Sequence, residues 1–356
     1  MVLTKETTTI MKGYGIMFIA LHNFLHLGSF TGYVKENENT FDVQRTWDYL
    51  GVLKFFEWED IGQFFSFMGW IGVSAFLFIS GFGLVKKYEL NKCELEVGKY
   101  IYHSWKKLAF LLIPGALYFI LFSLVNSTWS IVIPKSVLQL TMLNNFFMPM
   151  ITFSPGVYWY FGLTFELYLL YLLLRGWSVK RLMVGGGFIV VIQIVVVMVY
   201  GPTSAPWSFV RHNFLGWGHV FITGMIVAKT RVERCLPSNM FSLLLLAALS
   251  LVMLLPLLLN VWTWLLIVPF VAFLFFVFLA GAFAENKILK TIGLWLGRYS
   301  AFIFVVHPIV RSIILKINTR AAMDLWQMTI LYVLFFLIGA IVYKPLYYWL
   351  MRVGVS

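Results

Sequence analysis

Long apolar blocks separated by short polar segments run the whole length of this chain. Most blocks approach the ~20 apolar residues that a helix needs to cross a ~30 Å hydrocarbon layer. The pattern predicts about ten such spans, near 9–31, 61–84, 107–126, 157–175, 183–200, 214–230, 240–259, 262–284, 294–316 and 325–350. The expected architecture is therefore all-α and polytopic, one membrane-embedded domain over 1–356. A further apolar stretch, 136–152, is broken by Asn144, Asn145 and Pro149. It reads as a short helix lying at the surface or re-entering, with an eleventh span as the alternative. The run Gly185–Gly187 predicts close helix packing, as small residues permit in membranes. No repeat of fixed period and no low-complexity tract is visible.

Composition agrees. Hydrophobic residues make up 61% of the 356 and charged ones 12%, too few charges for a water-soluble surface. The longest mainly polar stretches are 33–61 and 85–105, so no separate soluble domain is expected. The first apolar block continues too long for a cleavable leader and lacks a small-residue cleavage site. The net charge of +12 would suit nucleic acid, but the cations follow topology instead. Lys86, Lys87, Lys106, Lys107, Arg231 and Arg234 fall in alternate loops, while the opposite loops carry only a few. The positive-inside rule then puts both termini in the cytoplasm. The first outer loop is acidic, with Glu36, Glu38, Asp42, Asp48, Glu57, Glu59 and Asp60. It is expected to be a solvated face, with contact to a sugar acceptor as the alternative. Cys93 and Cys235 are too few for a disulfide framework and fall in cytoplasmic segments, so they are expected to stay reduced.

Polar residues inside spans are costly and usually functional. The first span carries Lys12 near its start and His22, Asn23 and His26 further along. At 1.5 Å per residue His22 lies about 15 Å beyond Lys12, roughly mid-membrane. His22 and His26 share a helix face. Glu166 is the acidic residue placed inside a span, and His307 and Arg311 share a face of the ninth. These groups are expected to converge on a wet cavity. An imidazole that takes a proton from a hydroxyl, a carboxylate that steadies it and a cation facing developing negative charge suit acyl transfer. Lys12 suits a phosphate of an acyl donor. Each residue also has a plain structural reading: packed neutral imidazoles, a Glu166–Arg311 ion pair, an anchoring Lys12, a snorkelling Arg311. The spacing His22-x-x-x-His26 would suit a metal, but no third ligand lies nearby in sequence, so no metal is expected. No phosphate-binding glycine loop or serine elbow appears. Ser80-Gly81 reads as a tight packing point. The competing function is a transporter or flippase for a glycan or acyl carrier, which also needs polar groups at mid-membrane.

Four landmarks in order resemble acyltransferase family 3, the integral-membrane acyltransferases of bacterial surface glycans, antibiotics and lipids. They are Lys12-Gly13 leading to His22, then GVSAFLFISGFGL at Gly72–Leu84, YWYFGLTFELY at Tyr158–Tyr168, and LGRYSAFIFVVHP at Leu296–Pro308. In the family a cation is followed by ten residues and the essential histidine; here that position is Asn23, and His22 comes one earlier. The resemblance covers about 12–350. It implies His22, Glu166 and His26 as catalytic residues, with His22 favoured as the base. Lys12, Trp159, Ser80, His307 and Arg311 are the expected substrate-binding residues. It also implies an acyl-CoA donor, acetyl-CoA above all, on the cytoplasmic side, with no permanently bound cofactor. The acceptor would be a sugar hydroxyl of a cell-surface or lipid-linked glycan. The setting would be the plasma membrane of a bacterium, and a partner protein or oligomer is left open.

Overall fold

The computed structural model describes residues 3–27, 31–54, 57–125, 129–147, 156–321 and 323–353. Among them every regular element is a helix or a helical turn, and there is no strand. All ten predicted spans are helical over most of their length. Seven helical stretches are long and apolar enough to cross a bilayer: Trp58–Leu90, Val97–Leu124, Gly156–Leu174, Val179–Tyr200, Met240–Leu257, Lys287–Ile317 and Leu325–Val353. The protein is a multi-pass membrane protein.

The other three predicted spans fall short for physical reasons. Helix α1, Lys5–Leu25, devotes its first turns to Lys5, Glu6 and three threonines. Phe214–Thr230 and Val268–Ala284 are 17 residues each, about 25 Å at 1.5 Å per residue. The stretch expected at 262–284 is two helices, Val261–Leu266 and Val268–Ala284. Pro269 sits in the first turn of the second, where its missing N–H is tolerated. The ninth span is longer than expected and runs over Lys287–Ala321. The expected helix at 136–152 lies earlier, at Trp129–Leu140, followed by a short turn at Asn144–Phe146; residues 148–155, Pro149 among them, lie outside the described residues.

Helix starts are marked by short polar side chains that accept from the first unpaired backbone amides. Thr4, Asp42, Ser178, Asn213, Asn239 and Asn260 each cap a helix in this way. Large apolar side chains stand outward on the spanning helices, among them Phe188 and Met198, Phe241 and Val252, Ile338 and Val342. A continuous apolar exterior is what lipid solvates.

The chain divides into two compact units, Met1–Glu94 with Tyr171–Arg298, and Leu95–Leu170 with Tyr299–Ser356. In the first, α1 packs against helix α3, Trp58–Met68, α4, Gly72–Val85, and the helix Val268–Ala284 (α2, Val43–Val52, lies in the preceding loop). Small residues set the closeness. An added Cβ on Gly13 would overlap the backbone of Gly293 and Gly297. One on Gly81 would overlap the Phe221 carbonyl, so Ser80-Gly81 does mark a tight crossing. Gly185–Gly187 does not: an added Cβ would meet Trp177 or Ile222 at ordinary or slightly tight distances, and nothing at Gly187. Gly187 is exposed, and Gly186 faces Ile222 of the helix Phe214–Thr230 at ordinary contact distance. In the second unit Tyr158 donates to the Val305 carbonyl at 2.6 Å, and Tyr343 to that of Phe110 at 2.8 Å. Cys93 and Cys235 are exposed free thiols.

Candidate active site

His22 lies in the last turn of α1 and is 2% exposed. Gly69 makes room for it, since a Cβ there would lie 2.6 Å from the His22 Cβ. The ring is oriented by α3. His22 Nδ1 lies 2.9 Å from the Ser66 carbonyl oxygen. A carbonyl only accepts, so Nδ1 carries the proton. Ser66 is in the last turn of α3, whose carbonyls lack partners within the helix. In the neutral ring Nε2 is then a bare lone pair. It lies 3.6 Å from Oε2 of Glu38, at ion-pair range and just beyond a hydrogen bond. Oxygens of Glu36 and Glu38 and a ring nitrogen of His22 all lie within 4.8 Å of one another.

His26 stacks on His22, with ring centroids 4.7 Å apart and planes 16° from parallel. Its Nδ1 donates to the His22 carbonyl at 2.9 Å. Asn23, at the position where the resemblance would put the histidine, turns back on its own helix and donates to the Ile19 carbonyl at 2.9 Å. The helix is continuous from Lys5 to Leu25, so His22 reaches its partners without a bulge.

The loop carrying the two carboxylates is held by its backbone. Asn37, fully buried, donates to Thr46 Oγ1 at 3.2 Å and accepts from the Asp42 amide at 3.0 Å. Its carbonyl accepts from the Trp264 indole at 2.8 Å. Arg45 donates to the Glu36 carbonyl at 2.9 Å, and Arg211 Nε to the Glu38 carbonyl at 3.0 Å. The Arg211 guanidinium lies 3.7 Å from the ring centre of Trp217, a cation–π contact. Each carbonyl of 36–38 is thus claimed by a buried or half-buried donor. That leaves the side chains of Glu36 and Glu38 facing His22, and they are 9% and 14% exposed. Burial alone would raise the Glu38 carboxyl. The interaction with His22, then the positive charge that His22, His26 and His212 carry when protonated, outweigh that and hold it below its ordinary value. His212, by contrast, is pushed down by burial, against its bond to the Ser208 carbonyl and the Glu38 charge.

Two of the seven loop acids, Glu36 and Glu38, are therefore not on the solvated face expected from composition. Nor is His22 short of further donors. The ligand types that local spacing lacked come from fourteen and sixteen residues downstream of His22 in the same unit.

The remaining expected residues are placed as follows. Lys12 is half-buried on α1. Ser80 donates to the Phe76 carbonyl of its own helix at 2.8 Å. Trp159, Glu166, His307 and Arg311 belong to the second unit. Trp159 is buried, and its carbonyl accepts from Asn145 at 2.9 Å. Glu166 is buried on Trp159–Leu174. His307 is fully buried on Lys287–Ala321, with Nδ1 donating to the Ile303 carbonyl at 3.0 Å. Sequence reasoning missed Glu36, Glu38, Ser66, Asn37 and Arg211. The available signal was distance along the chain: a loop that begins a few residues after His26 must pass the end of α1.

A neutral imidazole with a fixed Nδ1 proton, a bare Nε2 and an adjoining ionised carboxylate is the arrangement of a general base. A family model described as an acyltransferase domain matches residues 9–345. No curated protein and no solved structure matches the chain.

Proposed function

The chain belongs to acyltransferase family 3, and from that footing we propose an O-acyltransferase of a bacterial plasma membrane, working on a sugar hydroxyl of a cell-surface or lipid-linked glycan. Acetyl-CoA, presented from the cytoplasm, is the proposed donor. His22 is the proposed base. Its Nε2 takes the proton as the acceptor oxygen attacks the thioester carbonyl. The tetrahedral intermediate collapses with loss of the C–S bond, and the imidazolium returns the proton to the departing thiolate. Glu38 stabilises the imidazolium in between, and the Ser66 carbonyl keeps the tautomer fixed. His26 supports the ring by stacking.

In the same proposal Lys12, on the His22 helix and about 15 Å away along its axis, binds a donor phosphate as a point charge. Glu166 keeps a catalytic role by virtue of its buried place in the Tyr158–Tyr168 motif. Trp159, Ser80, His307 and Arg311 keep substrate-binding roles. The N- and C-termini are assigned to the cytoplasm by the distribution of Lys and Arg. Family membership supports acyl transfer over the transport reading.

The observation that carries the proposal is the His22 ring itself, donating from Nδ1 to Ser66 and presenting Nε2 beside Glu38. To test it, His22→Ala and His26→Ala are made singly and the acetyl content of the surface glycan is measured by mass spectrometry. His22→Ala is expected to reduce transfer by about 10²-fold or more, and His26→Ala by less. Full acetylation by His22→Ala at normal protein levels would end the proposal.

A further inference from the structure

His22, Glu36 and Glu38 together pose a chemical problem that base catalysis alone does not solve. Nε2 of neutral His22 is a lone pair, and ionised carboxylates only accept. Three acceptors face one another with little water. His22 Nε2 and Glu36 Oε2 have no hydrogen-bond partner among the described residues. Burying such groups unpaired is unfavourable, and a single proton serves one pair at a time. A divalent ion serves all three.

The geometry fits. An ion 2.0–2.2 Å from each donor puts tetrahedral donors about 3.4 Å apart. His22 Nε2 and Glu38 Oε2 are 3.6 Å apart, and the widest separation in the trio is within 4.8 Å. Small rotations of the Glu36 and Glu38 side chains close the difference. The supports of a metal site are also present. The far nitrogen of His22 donates to a backbone carbonyl, the usual way a ligating imidazole is held. The backbone at Glu36 and Glu38 is fixed by Arg45 and Arg211.

We propose that His22, Glu36 and Glu38 form a binding site for a first-row divalent cation of the zinc class, and that the ion inhibits acyl transfer by occupying the lone pair that would take the proton. One imidazole with two carboxylates suits Zn²⁺ or Co²⁺ over soft monovalent metals. Three protein donors leave a fourth position for water. The binding claim stands on the trio alone; the inhibition rests on His22 being the base.

The test uses the full chain in lipid nanodiscs, with the exposed Cys93 and Cys235 replaced by serine so that thiols do not capture metal. Zn²⁺ is titrated against a chromophoric chelator. One equivalent is expected to bind. Glu36→Gln and Glu38→Gln should each weaken it by at least about tenfold, while Glu59→Gln, on the exposed part of the loop, should leave it unchanged. Should the Gln variants not fold, Co²⁺ bound to the otherwise unaltered chain decides: X-ray absorption is expected to show imidazole and carboxylate oxygen in its coordination sphere. Absence of stoichiometric binding, or coordination without imidazole, overturns the site and leaves the base assignment standing. Transfer from acetyl-CoA should fall as Zn²⁺ fills the site and return with EDTA. A filled site with transfer unchanged or raised keeps the site and removes His22 as the free base.

Discussion

Residues 36–38 and 57–60 lie in the acidic region that runs from the end of α1 into the first turn of α3, yet they use their carboxylates in opposite ways. At 57–60 the acids serve their own neighbourhood. Asp60 accepts from the amides of Lys54 and Glu57 at 3.0 and 3.1 Å, fixing the start of α3. Glu57 pairs with Lys54 at 2.9 Å in full view of solvent. At 36–38 the main chain is gripped by Arg45, Trp264 and Arg211, and the acids are turned onto a histidine. The charge of a loop thus says nothing about its direction. Direction is decided by which backbone carbonyls find a buried donor.

The sharpest way to break this comparison is to remove one charge from each side of it. Glu38→Gln keeps the shape and loses the charge beside His22. A hydrogen bond or ion contact to a charged partner is worth about 1.5–3 kcal/mol, so transfer is expected to fall roughly tenfold to a hundredfold. The fall should be smaller than for a hydrolase triad whose carboxylate also sets the tautomer, because Ser66 sets it here. Glu57→Gln, assayed beside it, should transfer like the unaltered protein. Equal losses in both would mean that the loop acts through bulk charge, not through contact.

Next in size is the grip itself. Asn37→Ala removes the bonds to Thr46 and to the Asp42 amide from a fully buried position. Leaving such partners unsatisfied costs about 1–3 kcal/mol. A lower unfolding midpoint together with slower transfer is expected. Loss of stability with transfer intact would show that the loop need not be pinned for its acids to reach His22. Trp264→Phe removes the donor to the Asn37 carbonyl, worth about 1 kcal/mol, and trims a buried ring packed on Phe41, Trp207 and Arg211; it should lower the unfolding midpoint while slowing transfer less than Asn37→Ala does.

How much of this the sequence displays follows from the same contrast. Helices at all ten apolar blocks were legible because burial in lipid writes itself into composition. His22 was legible as a candidate because an imidazole inside a span is costly and usually functional. The break at Ile267 was less so, since Val261–Ala284 is apolar throughout and only Pro269 marks the division. Glu36 and Glu38 were illegible. They read as Glu57 and Glu59 do, and what separates them is a set of contacts from Thr46, Arg211 and Trp264, two of those residues lying more than 170 positions away. Hydrophobic pattern records which residues leave water, and it records poorly which side of a loop faces inward.

The smallest expected effect closes the comparison from its exposed side. Lys54→Ala breaks the ion pair with Glu57, in which both side chains are at least half exposed. Exposed pairs gain little, because water and salt screen them and two mobile side chains must be held in place. The unfolding midpoint should not move, in low salt or high, and acyl transfer should match the unaltered protein. A drop in transfer without a change in midpoint would mean that Glu57, released from Lys54, reaches something the reaction needs. The division between an inward-facing 36–38 and an outward-facing 57–60 would then have been drawn too sharply.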